Sequence, residues 1–202
     1  DYAEWLHELV ERKGYSAPII GGHSLGGAIA LQYALDYPDD TGGLLLFGTG
    51  AKLRVAPYVL EALEKGIDEP EPWLRDFVEP QLRFVVGVIG DWGVRYSDID
   101  KDLREQLLEE TSQVGAKVQL NDFVCCDRFN VMDRLHEIST PTLVLSGSED
   151  NLTPPKYGAY LAEHIADARQ VVIDGGTHYF FAEKPEETNQ AVDEFLRALP
   201  VA

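Results

Sequence analysis

The sequence is poor in cysteine: among 202 residues there are two, Cys125 and Cys126, and they are neighbours. Adjacent cysteines rarely form a disulfide without strain, so the sequence offers no disulfide framework. The two thiols have no histidine and no second cysteine pair close to them along the chain. We therefore expect no metal site at these cysteines.

Basic residues are also scarce, with 17 Lys and Arg against 35 Asp and Glu, which gives a net charge of −18. The acidic residues are spread along the chain, a pattern that favours solubility and repels nucleic acid and anionic membrane surfaces. No apolar run reaches the length of a membrane span, and no signal-peptide pattern is visible. We expect no nucleic-acid partner, no membrane association and a cytoplasmic location.

Four short apolar runs are typical of buried strands, and they span residues 16–22, 43–47, 141–146 and 170–173. Amphipathic helical patterns alternate with these runs. This alternation predicts an α/β fold in which a mostly parallel sheet is covered by helices on both faces.

Sequence signals indicate where the predicted helices begin and end. The first has an apolar stripe and is ended by Gly14; the stripe consists of Tyr2, Trp5, Leu6 and Leu9. A helix follows the first strand from Leu25 to about Tyr37, and the last helix begins at Pro185. Thr153 is predicted to cap a helix that has Pro154 at its first position.

The segment from 51 to 136 differs from the rest of the chain. It is interrupted by prolines and glycines, is rich in aromatic residues and contains no convincing pair of strands. We interpret it as a helical cap inserted into a core formed by residues 1–50 and 137–202. Trp92 and Phe123 of this segment are candidate substrate-binding residues.

The stretch Gly22-His23-Ser24-Leu25-Gly26 fits the pattern G-x-S-x-G. In this motif the serine sits on a strained turn between a strand and a helix, and the glycines remove side chains that would clash in the turn. The predicted strand before Ser24 and helix after it supply the required context. Ser24 is therefore the candidate nucleophile, and the Leu25 N–H is the candidate oxyanion donor.

A serine nucleophile needs a base, and the base needs an orienting acid. His178 follows the last strand, and Asp150 follows the strand before it, so that Ser24, Asp150 and His178 have the chain order expected for this motif. Glu149 is the alternative acid. His23 cannot easily turn back to the neighbouring hydroxyl; it either packs under the sheet end or contacts substrate.

Three stretches, GHSLGG, GSEDNLTPP and GGTHYFFAEKPEE, resemble the α/β-hydrolase superfamily, in its esterase and lactonase-like branch with a helical cap. The resemblance implies a serine hydrolase that cleaves a small-molecule carboxylic ester or lactone through an acyl-enzyme, without metal or cofactor. The alternative is a non-catalytic or partial α/β-hydrolase chain that binds a small apolar ligand or pairs with another chain.

Members of this family usually have a further N-terminal segment, including a loop, often His-Gly, that donates the second oxyanion N–H. The present sequence contains no His-Gly dipeptide, so we expect a chain that is N-terminally truncated relative to the family. Loss of one oxyanion donor typically costs about 10² to 10³ in kcat. The nucleophile strand would become a sheet edge, and we expect a homo-oligomer formed through that edge, which light scattering tests.

Overall fold

A computed structural model of the chain describes residues 1–68, 109 and 113–199. Two compact units are present: one combines Asp1–Lys52 with Asn130–Ala202, and the other is Leu53–Phe129. The sequence placed the boundaries at 50/51 and 136/137. The two compact units divide at 52/53 and 129/130, and within the first unit the Val131 N–H donates to the Ala51 carbonyl at 2.8 Å; the interpretation of 51–136 as a helical cap stays a prediction.

The first unit contains a four-stranded parallel sheet in the order β1-β2-β3-β4. Its strands are β1 (Ile19–His23), β2 (Gly43–Phe47), β3 (Thr142–Gly147) and β4 (Ala168–Ile173). All residues of β3 are buried, as expected for a continuous apolar run in a covered parallel sheet. Within the described residues β1 forms one edge of the sheet; its pairing with another chain stays a prediction.

The helices connect these strands and occupy both units. In chain order they are α1 (Tyr2–Lys13), α2 (Leu25–Asp36), α3 (Pro57–Asp68), α4 (Ala116–Arg128), α5 (Pro155–His164), α6 (Phe180–Glu183) and α7 (Pro185–Ala198). Short 3-10 turns lie at Pro38–Asp40 and Met132–Glu137. The second unit contains α3 and α4. Among the described helices, none combines the length and apolar composition that a membrane span requires.

The core of the first unit lies between the sheet and its helices. α2 packs on β1 and β2, whereas α5 and α7 pack on β3 and β4. One cluster of buried side chains joins β3 and β4 to the last two helices; it contains Leu143, Leu145, Ile173, Phe180, Ala191 and Phe195. Because all four strands are parallel, their carboxyl ends lie at the same edge, where the loops bearing the candidate residues begin.

The buried face of α1 is not the predicted stripe. The helix has the expected bounds, with a capping box at Asp1 and Gly14 in the left-handed region at φ 67°. However, Trp5 is 57% exposed, and the buried residues are Ala3 and Val10. Alanine lets a neighbouring backbone approach closely, and α1 packs on α2. Leu6 and Leu9 of the stripe are half-buried, so the described residues cover only part of it.

Candidate active site

Ser24 occupies a strained turn between β1 and α2. Its backbone has φ 53° and ψ −112°, which is uncommon for any residue except glycine. Two hydrogen bonds hold this conformation: the Ser24 N–H donates to the Phe47 carbonyl at 2.9 Å, and the Thr49 hydroxyl donates to the Ser24 carbonyl at 2.8 Å. Leu25 is the first residue of α2, so its N–H has no partner within the helix.

The glycines of the nucleophile turn (residues 22–27) have unequal roles. A Cβ on Gly22 would lie 2.1 Å from the carbonyl carbon of Gly26, and a Cβ on Gly27 would lie 2.5 Å from Cγ2 of Thr49. A Cβ on Gly26 would meet no heavy atom of the described residues within 4 Å. The close approaches therefore require Gly22 and Gly27, and the second glycine of the motif is not among them.

Asp150 and His178 are in direct contact. His178 Nδ1 lies 2.8 Å from Asp150 Oδ2, and the two residues are 7% and 2% exposed. The other carboxylate oxygen, Oδ1, accepts the backbone N–H groups of Leu152 and Thr153 at 2.9 and 2.8 Å. Burial opposes ionisation of Asp150, but the hydrogen bonds and charge of His178 and the donors of Thr153 outweigh it and lower the pKa of the carboxyl.

Thr153 does not cap a helix, and that prediction is wrong. α5 begins at Pro155 and has no side-chain cap. The Thr153 hydroxyl instead donates to Asp150 Oδ2 at 2.7 Å and lies 3.1 Å from His178 Nδ1. Asp150 therefore accepts hydrogen bonds from both the backbone N–H and the hydroxyl of Thr153, and these bonds hold the carboxylate next to His178.

Glu183 is a buried acid that the sequence analysis missed. Its two carboxyl oxygens accept the backbone N–H of Thr177 at 2.7 Å and the hydroxyl of Thr177 at 2.5 Å. Both residues are buried, and Thr177 directly precedes His178 in the base loop (residues 174–178). The pair therefore ties the base loop to the end of α6. A glutamate five residues after a candidate base, in an otherwise apolar run, was the only available signal.

Replacing Thr177 by valine is expected to lower the free energy of unfolding by about 1–3 kcal/mol, because valine keeps the shape but leaves one buried oxygen of Glu183 without its donor. Thr177→Ser keeps the hydroxyl and should recover most of that loss. Urea unfolding of the parent and both variants measures the difference. Equal midpoints for the parent and Thr177→Val would show that the hydroxyl contributes nothing to stability.

Gly48 places the serine turn beside the acid–base pair. A Cβ on Gly48 would lie 3.4 Å from both Asp150 Oδ2 and His178 Nδ1, and the preceding Phe47 accepts the Ser24 N–H. The end of β2 thus borders all three candidate residues. Among the described residues the Ser24 hydroxyl makes no hydrogen bond; such bonds often tighten only when substrate is bound.

The three candidate substrate-binding residues lie in different places. His23 ends β1, is half-buried, and has its Nε2 2.9 Å from the His178 carbonyl oxygen. Phe123 lies on α4 in the second unit and is 39% exposed, whereas Trp92 lies outside the described residues. A substrate contact by any of them stays a prediction. No group of three potential metal ligands occurs in the described part of the chain.

Comparison with known proteins decides the family. Residues 1–185 match a family model described as the alpha/beta hydrolase fold. The chain belongs to the α/β-hydrolase family. The fold and the superfamily resemblance predicted from the sequence are thereby confirmed.

Individual α/β hydrolases support this assignment. A candidate carbamate hydrolase, RutD, from Rhizobium rhizogenes is 31% identical over 186 residues, which cover 88% of this chain and 66% of the relative. A 2-hydroxy-6-oxo-6-phenylhexa-2,4-dienoate hydrolase from Comamonas testosteroni is 28% identical over 94% of this chain and 66% of its own. A solved thermophilic esterase has 33% identity and a TM-score of 0.77, covering all of this chain and 73% of its own. The present chain thus spans about two thirds of the curated relatives.

Proposed function

We propose that this α/β hydrolase is a serine hydrolase that cleaves a carboxylic ester or lactone through an acyl-enzyme intermediate. The observation that carries the proposal is the buried Asp150–His178 hydrogen bond of 2.8 Å, at the same edge of the parallel sheet as the strained Ser24 turn. An imidazole oriented by a carboxylate, together with a serine on a strained strand-to-helix turn, is the combination that activates a hydroxyl for attack on a carbonyl.

Acylation starts when the Ser24 oxygen attacks the acyl carbon and His178 Nε2 takes the hydroxyl proton. The Nδ1–H group of His178 remains hydrogen-bonded to the carboxylate of Asp150, and the negative charge of this carboxylate stabilises the imidazolium that forms. The negative charge that develops on the carbonyl oxygen is stabilised by the Leu25 N–H at the start of α2. The tetrahedral intermediate then expels the alcohol, which takes the proton from Nε2.

Deacylation repeats the same steps with water. His178 Nε2 accepts a proton from the water as the water oxygen attacks the acyl-serine carbon, and then returns this proton to Ser24 as the acid leaves. With a lactone the leaving alcohol remains part of the acyl group, so the product is a single hydroxy acid. Atoms and protons balance in both halves of the reaction with Ser24, His178, the substrate and water.

The relatives support a hydrolase, but their names do not agree on a substrate. The first is a candidate carbamate hydrolase, the second acts on a dienoate, and a third is a methyl ester esterase from Neisseria meningitidis that is 27% identical. The ester or lactone preference of the present chain is therefore a proposal that substrate panels test.

The deciding experiment is intact-mass analysis after incubation with a fluorophosphonate, which forms a stable adduct only with an activated serine. We expect one adduct on the parent and none on Ser24→Ala, because alanine removes the nucleophile. Ser139→Ala, at an exposed serine of the first unit, is the matched control and should be labelled like the parent. Nitrophenyl esters of increasing chain length and a set of lactones then define the substrate.

Two results would contradict the proposal. An adduct that persists in Ser24→Ala would place the nucleophile elsewhere. A folded parent without any adduct, but with saturable binding of small apolar ligands, would support the non-catalytic alternative.

A further inference from the structure

We propose that His23 is a positioning residue whose Nε2–H donates to the carbonyl oxygen of His178 and fixes the base loop against the nucleophile turn. This inference rests on the proposed function, because its consequence is the place of the His178 ring relative to Ser24. It differs from the substrate contact that the sequence suggested for His23. The ring is already engaged by the protein.

The first observation is the hydrogen bond itself. His23 Nε2 lies 2.9 Å from the backbone oxygen of His178. A carbonyl oxygen can only accept, so the proton of this bond is on Nε2 of His23. The bond therefore selects one tautomer of His23 and leaves its Nδ1 without a proton when the ring is neutral.

The second observation is the packing of the ring. Its centroid lies 4.4 Å from that of His178, 5.3 Å from that of Tyr179 and 4.9 Å from that of Phe181. These three neighbours belong to one continuous segment, which runs from the base His178 through Tyr179, the residue before α6, into the first turn of α6. The His23 ring is thus held by the same segment that it anchors, and the edge contact with Phe181 fixes its tilt.

The third observation is that the donor stays neutral. Burial, followed by the nearby charge of His178, lowers the pKa of His23 to about 3, and the hydrogen bond to the His178 carbonyl offsets only part of this. The ring therefore carries one proton throughout the neutral pH range. A neutral donor does not place a second positive charge beside the base when His178 is protonated during catalysis.

The location of the bond explains why it matters. His23 is the last residue of β1 and is covalently joined to Ser24, whereas His178 lies in the loop after β4. Asp150 holds the His178 ring, and Glu183 holds Thr177, but both of these acids lie on the β3 and α6 side of the loop. The His23 bond ties the backbone of the base directly to the strand that carries the nucleophile. Small misplacements of catalytic groups reduce rates strongly.

Three substitutions separate the hydrogen bond from the ring packing. His23→Phe keeps a ring without a donor, and His23→Gln places an amide N–H near the position of Nε2. His23→Asn places its amide N–H near the position of Nδ1, and this shorter side chain does not reach the His178 carbonyl oxygen. His164→Phe is the matched control. His164 is exposed on α5 and also has a ring nitrogen, Nδ1, 2.8 Å from a carbonyl oxygen, that of Tyr160.

The first readout is fluorophosphonate labelling, resolved into the maximal rate constant kinact and the binding constant KI. We expect kinact to fall by about tenfold in His23→Phe and His23→Asn with KI little changed, because one lost hydrogen bond displaces the base without removing a probe contact. His23→Gln should recover to within about threefold, and His164→Phe should match the parent. If His23→Phe fails to fold, the Gln and Asn pair decides.

A parental kinact in both His23→Phe and His23→Asn would overturn the positioning role. So would an equal loss in all three His23 variants, because a purely structural role would not distinguish Gln from Asn. A rise in KI with unchanged kinact would also overturn it and would return His23 to the substrate-contact role.

The second readout does not depend on activity. Nitrogen-15 NMR of the histidine side chains, with His23→Gln used for assignment, reports the tautomer of each ring. We expect His23 to be the neutral Nε2–H tautomer from pH 8 to pH 5. If the parent is not labelled, the proposed function fails and this readout still decides the hydrogen bond: an Nδ1–H tautomer of the neutral His23 ring would overturn it, because Nε2 would then have no proton to donate.

Discussion

Asp150→Asn is expected to lower kcat for an ester substrate by about 10⁴-fold, with a much smaller change in KM. The reason lies in the partners of the two carboxylate oxygens. Oδ1 accepts two backbone N–H groups, so an asparagine must place its oxygen there and its NH₂ group in the position of Oδ2. That NH₂ group would donate to His178 Nδ1 and force the histidine proton onto Nε2. An Nε2 that already carries a proton cannot accept one from Ser24.

Glu149→Gln is the matched control, since Glu149 directly precedes Asp150 and is the alternative acid. We expect it to retain kcat within about threefold, because the carboxylate that is hydrogen-bonded to His178 Nδ1 is that of Asp150. Steady-state kinetics of the parent and both variants provide the comparison. A large loss in Glu149→Gln together with a small loss in Asp150→Asn would transfer the acid role to Glu149.

Asp150→Asn is also expected to have a pH-dependent effect on stability. The pKa of Asp150 is lower in the folded protein than its usual value of about 3.9. The ionised carboxylate therefore contributes stability above that value, and this contribution is lost as the pH falls through the lower, folded value. The difference in unfolding free energy between the parent and Asp150→Asn should be largest near neutral pH and should shrink in strong acid.

Local patterns were sufficient to predict much of the fold. Continuous apolar runs identified each of the four strands that the described residues form, and β2 has the predicted bounds, Gly43–Phe47. The glycines around Ser24 predicted its position on a strained turn, because a serine between glycines at a strand-to-helix junction has few other structural uses. The chain order of Asp150 and His178 followed from the positions of the strands before them. These signals are encoded within a few residues of the feature that they predict.

Features that depend on tertiary approach could not be predicted in this way. The Thr153 hydroxyl had a local alternative as a helix cap, and only the folded arrangement of β3 and the base loop turns it toward Asp150. Glu183 finds Thr177 because α6 folds back on the base loop. Trp5 is exposed although its spacing suits a buried stripe. None of these three outcomes is determined by the few residues around the side chain concerned.

Gly22→Ala is expected to reduce the free energy of unfolding by at least about 3 kcal/mol, or to prevent folding. The added Cβ would lie 2.1 Å from the carbonyl carbon and 2.2 Å from the carbonyl oxygen of Gly26. Both atoms belong to the backbone of the first turn of α2, so no change of rotamer relieves the clash. The strand end and the helix start must separate, which displaces Ser24 between them.

Gly26→Ala provides the matched comparison within the same motif. Its Cβ meets nothing within 4 Å among the described residues, and Gly26 lies in α2, where alanine is preferred to glycine by up to about 1 kcal/mol. We therefore expect an equal or higher urea midpoint for Gly26→Ala and a sharply lower one for Gly22→Ala. Equal losses would mean that the whole motif is needed for the turn. If Gly26→Ala is stable but loses fluorophosphonate labelling, the second glycine keeps space for the substrate rather than for the backbone.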